Sequence, residues 1–288
     1  MRSLILSVIL SGAFTVSAEQ ILPDEMHCTP VLIEIPLHDN ICDYGTGVFI
    51  GESNKIFLVT AAHVIFNFNS TNKLELQNSK ATLYAFKYGK DSTDKNVTFL
   101  DLKKLMDEGF VRRYSTHDVA VIQLGKSIPT GTNNISQEFF ENGVNFTNDS
   151  SVDLLLAGSN CRKFNDIQDG SEAYILGYPV ELLNTNIQAE VDFSYPLIRK
   201  GIISQRNLKT GKLIIDSGVY GGNSGGPVII IEHPFLDRTT YKIGGLITQF
   251  VPVMTRIVPQ IGVTNSDLVN SGYGVAEPID YALQLMRQ

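Results

Sequence analysis

The chain has few cysteines for its length, and they cannot form a complete disulfide framework. Its 288 residues include three, Cys28, Cys42 and Cys161, and an odd number cannot all pair within one chain. A Cys28–Cys42 bond that leaves Cys161 buried or free is as compatible with the sequence as its absence. Because zinc ligands come in close pairs and these cysteines do not, we expect no metal and no cofactor. The fold should therefore depend mainly on its hydrophobic core.

Basic clusters and long apolar segments are also scarce. The formal net charge is −7, and it becomes −8 when the N-terminal segment carrying Arg2 is set aside. No cluster of Lys and Arg offsets this charge, which argues against nucleic acid or an anionic membrane surface as the main partner. No segment after residue 18 approaches the roughly 20 apolar residues of a membrane span, so we expect no membrane anchor.

The first eighteen residues have the layout of a cleavable secretory signal. A cation at Arg2 precedes an apolar run from Leu4 to Val16, and Ser17 and Ala18 supply small residues at the end. The alternative, a buried N-terminal helix, would usually carry a polar face. We therefore expect an exported protein, periplasmic or extracellular. Its mature 270 residues (19–288) suit one large β-domain or two lobes around a shared cleft.

Short runs of β-branched and aromatic residues, separated by Gly, Asn, Asp and Ser, recur along the mature chain and indicate an all-β fold. Two halves with similar strand counts predict two stacked barrels, at about 28–126 and 171–277. The stretch of about 127–170 is rich in small polar residues and is expected to be a linker with insertions. The expected strands are Val31–Ile35, Gly47–Ile50, Ile56–Val59, Thr82–Phe86 and Val119–Leu124, then Ala173–Leu176, Lys200–Ser204, Leu213–Ile215, Pro227–Ile231, Lys242–Thr248 and Tyr273–Val275.

The clearest helix is expected at 278–288. Pro278 suits a first helical position, and the apolar residues Ile279, Ala282, Leu283 and Met286 follow at i, i+3, i+4 and i+7. We expect this apolar stripe to pack on the second barrel.

The strongest local signal is a glycine-rich turn around Ser224, Gly221-Gly222-Asn223-Ser224-Gly225-Gly226-Pro227, which precedes an apolar strand. A serine held between glycines can expose its hydroxyl while neighbouring N–H groups point into one small space. The N–H groups of Gly222 and Ser224 would then form an oxyanion hole. Taken alone, the same residues would also suit a glycine-rich hairpin loop.

Two further motifs complete a catalytic set. His63 follows an apolar strand and two alanines, and Asp118 directly precedes the apolar run Val119–Leu124. Each alone would more often be a structural histidine or a turn cap. Together with Ser224 they supply a nucleophile, a base and an orienting carboxylate, in the chain order of chymotrypsin-type enzymes. The spacing puts His63 and Asp118 in one barrel and Ser224 in the other, with the active site in the cleft between them.

On these motifs the sequence resembles the trypsin-like peptidases of the chymotrypsin fold, and it is most similar to the protease domain of HtrA-like enzymes. The resemblance implies an all-β fold of two six-stranded antiparallel β-barrels, a serine endopeptidase activity and polypeptide substrates. The PDZ domain of HtrA enzymes is not expected, because the chain ends soon after the last helix. Seven motifs carry the resemblance: VTAAHV, HDVAVIQL, ILGYP, KGIIS, IDSGVYGGNSGGPV, IGGLIT and YGVAEP.

The resemblance also implies further site residues. Thr248 stands where such enzymes place a hydroxyl that supports the catalytic aspartate, and Thr248, Gln249 and Phe250 would pair with the substrate backbone. Gly218 occupies the position of the aspartate that selects Arg and Lys in trypsin, so that preference is not expected. With Val219 and Tyr220, Phe250 would form a mainly apolar wall that favours small or medium apolar side chains.

Asn223 departs from the trypsin pattern, in which an aspartate pairs with a newly cut N-terminus. Because an amide cannot form that ion pair, we expect activity without such a cleavage. Two other functions stay open on the sequence: a catalytically silent protease-fold module that binds peptides, and an esterase-like hydrolase using the same site. The oligomeric state is not predicted.

Overall fold

The structure is a computed structural model that describes residues 22–38, 41–68, 74–87, 95–129, 135–147, 156–181, 192, 195–235, 238–257 and 265–288. The expected secretory signal, residues 1–18, lies outside these residues. The strands are β1 (Pro30–Pro36), β2 (Cys42–Glu52), β3 (Lys55–Thr60), β4 (Phe66–Phe68), β5 (Leu74–Leu76), β6 (Lys80–Phe86), β7 (Lys95–Asp101), β8 (Val111–Arg113), β9 (Ala120–Pro129), β10 (Ile135–Phe139), β11 (Val144–Phe146), β12 (Leu156–Ala157), β13 (Glu172–Gly177), β14 (Leu197–Asn207), β15 (Lys212–Asp216), β16 (Pro227–Phe235), β17 (Arg238–Ile257) and β18 (Asn265–Pro278). The helices are α1 (Ala62–Ile65), α2 (Leu102–Asp107) and α3 (Ile279–Met286), with 3₁₀ turns at Asp24–Cys28, Gly158–Asn160 and Phe164–Asp166.

The first lobe is a curled sheet of ten strands around its own apolar core. Its hydrogen-bonded path runs β10-β9-β3-β2-β1-β6-β7-β11, and β8 and β12 pair beside β9 and β2. Successive side chains of a strand point to opposite faces of the sheet, so every second residue of β1 faces the core. Val31, Ile33 and Ile35 are accordingly fully buried. The lobe is larger than the expected six-stranded barrel, because the stretch expected as a linker supplies β10, β11 and β12.

The second lobe is a closed barrel of six strands, in the order β13-β14-β15-β18-β17-β16. All its described pairs are antiparallel. Its core contains buried residues such as Ile175, Ile203 and Ile215. The all-β class, the two curled lobes and the C-terminal helix agree with the expected chymotrypsin-like architecture.

Helix α3 packs between the two lobes rather than on the second barrel alone. Its residues Ile279, Ala282, Leu283 and Met286 are buried as expected, and so is Leu285. They belong to an apolar cluster that also takes in Val48, Ile50, Phe57 and Val59 of the first lobe and Leu176, Ile229 and Leu246 of the second. One cluster therefore fixes both lobes to each other, which positions the cleft between them.

The three cysteines form no disulfide bond, so the expected alternative of a Cys28–Cys42 bridge is not what the structure contains. Cys28 is buried in the first part of the chain, whereas Cys42 and Cys161 are half-buried. Within the described residues, none of the helices has the length and apolar character that crossing a bilayer requires.

Candidate active site

His63 lies in α1, directly after the buried strand β3. The neighbours Val64 and Ile65 are held in the core of the first lobe, which fixes the short helix in place. Two small residues, Ala61 and Ala62, leave room beside the imidazole. The His63 side chain is therefore anchored by its own backbone while 47% of it remains exposed.

Asp118 lies in the turn before β9 and holds His63 through two hydrogen bonds. The Nδ1 atom of His63 is 2.6 Å from Oδ2 of Asp118, and the backbone N–H of His63 donates to Oδ1 at 2.9 Å. An ionised carboxylate only accepts hydrogen bonds, so Nδ1 carries the proton of this pair. This tautomer leaves Nε2 as the acceptor nitrogen of a neutral imidazole.

The environment of Asp118 keeps its carboxylate ionised. Burial opposes ionisation, but the hydrogen bonds from the side chain and backbone of His63 and the positive charge of Lys212 outweigh it, so the pKa of Asp118 lies below its ordinary value. The side chain can therefore stabilise a positive charge on the imidazole at neutral pH.

Ser224 lies in a tight turn that only glycines can complete. Gly222 and Gly225 have φ angles of +95° and +83°, a region that other residues rarely adopt. A side chain at Gly222 would lie 2.2 Å from the carbonyl oxygen of Tyr178, and one at Gly225 would lie 2.0 Å from that of Thr46. Glycine is thus required at positions 222 and 225 by the shape of this turn.

The Ser224 turn is joined to the first lobe next to His63. The backbone N–H of Thr46 donates to the carbonyl of Ser224 at 2.8 Å. The position where a Gly225 side chain would stand is 2.8 Å from the amide nitrogen of Ala61, two residues before His63. The structure thus places the Ser224 turn next to the segment that leads into His63. Among the described residues, the two side chains themselves form no hydrogen bond, and such a bond is often looser in a substrate-free site.

Thr46 is a buried residue that ties the two lobes beneath this turn. Its hydroxyl donates to the carbonyl of Gly222 at 2.7 Å and accepts from the N–H of Tyr178 at 3.1 Å. The hydroxyl of Thr60 in turn donates to the carbonyl of Thr46 at 2.7 Å. Because the Gly222 carbonyl accepts this hydrogen bond from Thr46, the peptide unit between Gly222 and Asn223 cannot easily rotate.

Two N–H groups of the Ser224 turn are available to a ligand. Within the described part of the chain, the N–H groups of Gly222 and Ser224 donate to no acceptor. The adjacent Asn223 N–H is used, since it donates to the carbonyl of Tyr220 at 3.0 Å. The pair expected to form an oxyanion hole is therefore the pair left without an internal partner among these residues.

Arg199 of β14 holds the turn from the other side. Its Nη1 atom donates to the carbonyl of Gly218 at 2.7 Å and to Oδ1 of Asn223 at 3.2 Å. The guanidinium lies 4.5 Å from the ring centre of Tyr220, and the Tyr220 N–H also donates to Oδ1 of Asn223 at 3.1 Å. The amide of Asn223, 1% exposed, thus has internal donors in place of a chain terminus.

The residues expected to bind substrate lie on two adjoining segments. Gly218 and Tyr220 lie on the segment before the Ser224 turn, but Val219 is 2% exposed and belongs to the core of the second barrel. Gln249 and Phe250 are exposed on β17. Val219 therefore shapes the wall from behind rather than lining it.

Thr248 differs from the role expected for its hydroxyl. The side chain is 5% exposed, and its Oγ1 atom donates to the carbonyl of Val275 at 3.4 Å. A contact with the Asp118 backbone comes instead from Glu277, whose Oε1 atom accepts from the Asp118 N–H at 3.4 Å.

A cavity of about 380 Å³ opens beside the Ser224 turn. Seven residues line it: Cys42, Asp43, Tyr44, Val180, Glu181, Gly221 and Gly222. The carboxylate of Glu181 accepts from the Gly221 N–H at 2.6 Å and so helps to fix this rim. Among the described residues, no group of three or more His, Cys, Asp or Glu side chains is arranged to hold a metal ion.

The sequence signals did not identify Thr46, Arg199 or Glu277. Thr46 and Arg199 lie in ordinary strand patterns, so only the tertiary structure reveals their contacts. Glu277 had a usable signal, because a carboxylate directly follows Val275 and Ala276, two apolar residues of a strand.

Solved structures that are similar to this chain include three proteases. A serine endoprotease from Yersinia pestis is 14% identical with a TM-score of 0.49, over 93% of this chain and 67% of that one. The HtrA-type protease AlgW, solved with a tripeptide, is 16% identical with a TM-score of 0.47, over 91% and 60%. The thermostable serine protease AL20 from an extremophilic microorganism is 12% identical with a TM-score of 0.50, over 92% and 100%. The likeness to AL20 supports the fold, and no curated protein matches the chain significantly.

The match to a protein-family model is more specific than the likeness in fold. The model described as "Trypsin-like peptidase domain" matches residues 45–232, about two thirds of the chain. The matched range begins one residue before Thr46 and includes His63, Asp118 and Ser224. The chain belongs to the trypsin-like peptidase domain family and is a serine endopeptidase.

Proposed function

We propose that this protein is an exported serine endopeptidase that works through His63, Asp118 and Ser224. The observation that carries the proposal is the His63–Asp118 hydrogen-bonded pair, next to which the Ser224 turn is fixed. Export is proposed from the signal-like residues 1–18, with a periplasmic or extracellular destination.

The chemistry is acyl transfer with a covalent intermediate. As the Ser224 hydroxyl oxygen attacks the carbonyl carbon of a peptide bond, Nε2 of His63 takes the hydroxyl proton. The same nitrogen returns the proton to the leaving amine when the C–N bond breaks. In the second half, His63 takes a proton from a water molecule whose oxygen attacks the acyl carbon. It returns this proton to the Ser224 oxygen as the acyl C–O bond breaks. Activity should fall in acid, because a protonated imidazole cannot accept the hydroxyl proton.

The N–H groups of Gly222 and Ser224 would stabilise the negative oxygen that develops during each attack. Loss of one such donor in a comparable enzyme costs about 3 to 4 kcal/mol. The Thr46 bond to the Gly222 carbonyl and the Arg199 contacts with Asn223 and Gly218 support this role, because both hold the turn before substrate arrives.

The substrate would add as a strand to β17. Ile247 exchanges hydrogen bonds with the Ser224 turn: the Gly225 N–H donates to its carbonyl at 2.6 Å, and its N–H donates to the Gly226 carbonyl at 2.9 Å. The pairing of β17 with β16 reaches only to Leu246. After Leu246, this edge of β17 continues past the Ser224 turn through Thr248, Gln249 and Phe250. An extended peptide can pair with the backbone of these three residues.

We expect small or medium apolar side chains to be preferred before the cleaved bond, and Arg and Lys to be disfavoured. Gly218 carries no selecting carboxylate, and Arg199 brings a positive charge to the Gly218 carbonyl and the Tyr220 ring. A peptide panel that varies only this residue measures the preference through kcat/KM. A strong preference for Arg or Lys would contradict this assignment.

The proposal is tested with the mature chain, residues 19–288, and its Ser224→Ala variant. We expect the first to cleave casein and the second to be inactive. Turnover of small esters without casein cleavage would favour an esterase. Peptide binding by both proteins, with no hydrolysis by either, would indicate a silent binding module instead.

A further inference from the structure

Glu277 is a fully buried carboxylate beside the segment that carries Asp118. It lies at the end of β18, and the side chain is 0% exposed. Its Oε2 atom is 3.1 Å from Nδ1 of His117, and its Oε1 atom is 3.0 Å from Nζ of Lys212. The long hydrogen bond from the Asp118 N–H, 3.4 Å, also ends on Oε1. One carboxylate thus contacts the consecutive residues His117 and Asp118 and also Lys212 of β15.

A contribution to stability alone does not explain a buried carboxylate at position 277. A buried ion pair often contributes less to stability than well-packed apolar residues of similar volume, because both charges must leave water. The preceding residues of β18, Val275 and Ala276, are buried and apolar. His117, Lys212 and the Asp118 N–H all meet this carboxylate, so its presence is better explained by what it holds.

His117 is the group through which Glu277 fixes the turn. The His117 ring stacks on Tyr281 of α3, with centroids 3.6 Å apart and planes 18° apart. It also meets Tyr114 edge-on at 5.5 Å. Glu277 holds the ring from one side and the aromatic rings hold it from others, so the backbone leading into Asp118 has little freedom.

The charged and titratable groups around Glu277 come from three elements. Lys212 faces it from β15, and His117 faces it from the turn before β9. Tyr281 faces it from α3, where burial first, and then the charges of Glu277 and Asp280, raise the pKa of the Tyr281 phenol. Lys212 also helps to keep Asp118 ionised. The lysine thus balances two neighbouring carboxylates.

We propose that Glu277 is a positioning residue for the catalytic triad. By holding the Asp118 N–H and the His117 ring, it sets the Asp118 carboxylate where its two oxygens meet the two N–H groups of His63. This inference rests on the proposed function, since it concerns the same active site. It assigns no contact between Glu277 and substrate.

The test compares Glu277→Gln with a matched control, Glu172→Gln, which makes the same change in the exposed ion pair that Glu172 forms with Lys200 at 3.4 Å. Active sites in each preparation are counted by titration with a fluorophosphonate, and kcat and KM are measured per titrated site. We expect Glu277→Gln to lower kcat about 10- to 100-fold with little change in KM, the effect of a small misplacement of catalytic groups. The control should match the wild type.

A second pair of variants keeps the test decisive if Glu277→Gln does not fold. His117→Ala removes the held ring, whereas His117→Gln keeps an N–H donor for Glu277. We expect His117→Ala to lower kcat and His117→Gln to restore most of it. A purely structural role would lower thermal stability in these variants without changing kcat per titrated site.

The outcomes separate this inference from the proposed function. Wild-type kcat per titrated site in Glu277→Gln, or in His117→Ala if the former does not fold, would overturn the positioning role while leaving the triad intact. A wild-type protein that the fluorophosphonate does not label would overturn the proposed function, and the positioning role with it.

Discussion

Asn223 directly precedes Ser224, and its side-chain contacts bear on how the Ser224 turn is held. Its buried amide oxygen accepts from Arg199 and from the Tyr220 N–H, and both donors come from the folded chain itself. Trypsin-type activation needs a charge at this position, which an amide does not have. The internal donors explain how the turn can be formed without a newly cut N-terminus.

Replacing Arg199 should damage catalysis more than folding. In Arg199→Leu the buried Oδ1 of Asn223 and the Gly218 carbonyl lose a charged donor, so the turn should loosen. We expect kcat/KM to fall about 10- to 100-fold, as for other small displacements of catalytic groups. Arg206→Leu, on the same strand and remote from the turn, is the control. Unchanged activity in Arg199→Leu would show that the turn does not need this donor.

The Cys161 thiol should react slowly because of its surroundings. Burial, with the nearby Glu52 carboxylate adding to it, raises the pKa of the Cys161 thiol to about 12. Only the thiolate is a good nucleophile, so Cys161 should react slowly with iodoacetamide at pH 8. Denaturation should speed the labelling of Cys161, as followed by mass spectrometry of the labelled peptide. Rapid labelling of native Cys161 would contradict this assignment.

At the scale of elements, strand patterns were readable where a strand is buried. All five strands expected in the first half and all six in the second coincide with observed strands, with Val119 just outside β9. The short strands β10, β11 and β12 were expected to be linker because the stretch that contains them is rich in small polar residues. Their strand conformation depends on partners such as β9, β7 and β2, which local sequence does not specify.

Helix α3 illustrates the limit of a periodic pattern. The i, i+3, i+4, i+7 spacing correctly gave the buried residues Ile279, Ala282, Leu283 and Met286. It could not give the partner, because an apolar stripe fits any apolar surface of suitable shape. The observed partner is the cluster shared by both lobes.

Truncation of a helix residue should reveal how much this cluster stabilises the fold. Leu283 is 5% exposed, so Leu283→Ala leaves a cavity and should lower the free energy of unfolding by about 2–5 kcal/mol. Leu208 is 76% exposed, and Leu208→Ala should therefore have little effect. Urea denaturation measures both. Equal effects of the two substitutions would mean that the helix contributes little to the inter-lobe core.

At the scale of the whole molecule, the proposed active site depends on the two lobes being held in one arrangement. His63 and Asp118 belong to the first lobe, and Ser224 belongs to a turn of the second. Thr46 and the shared apolar cluster join them. The three motifs and their order gave the candidate triad from sequence. The supporting residues Thr46, Arg199 and Glu277 could not be found in that way, because each acts across sequence separations that only the fold closes.

The most direct test of the triad is covalent labelling of the mature protein by a fluorophosphonate, with the modified residue identified by peptide mapping. Our account predicts one label per chain, on Ser224, with no prior N-terminal cut. It also predicts that Ser224→Ala is unlabelled and that His63→Ala is labelled far more slowly. A folded wild-type protein that resists the reagent, or a Ser224→Ala variant that is labelled as fast as the wild type, would contradict it.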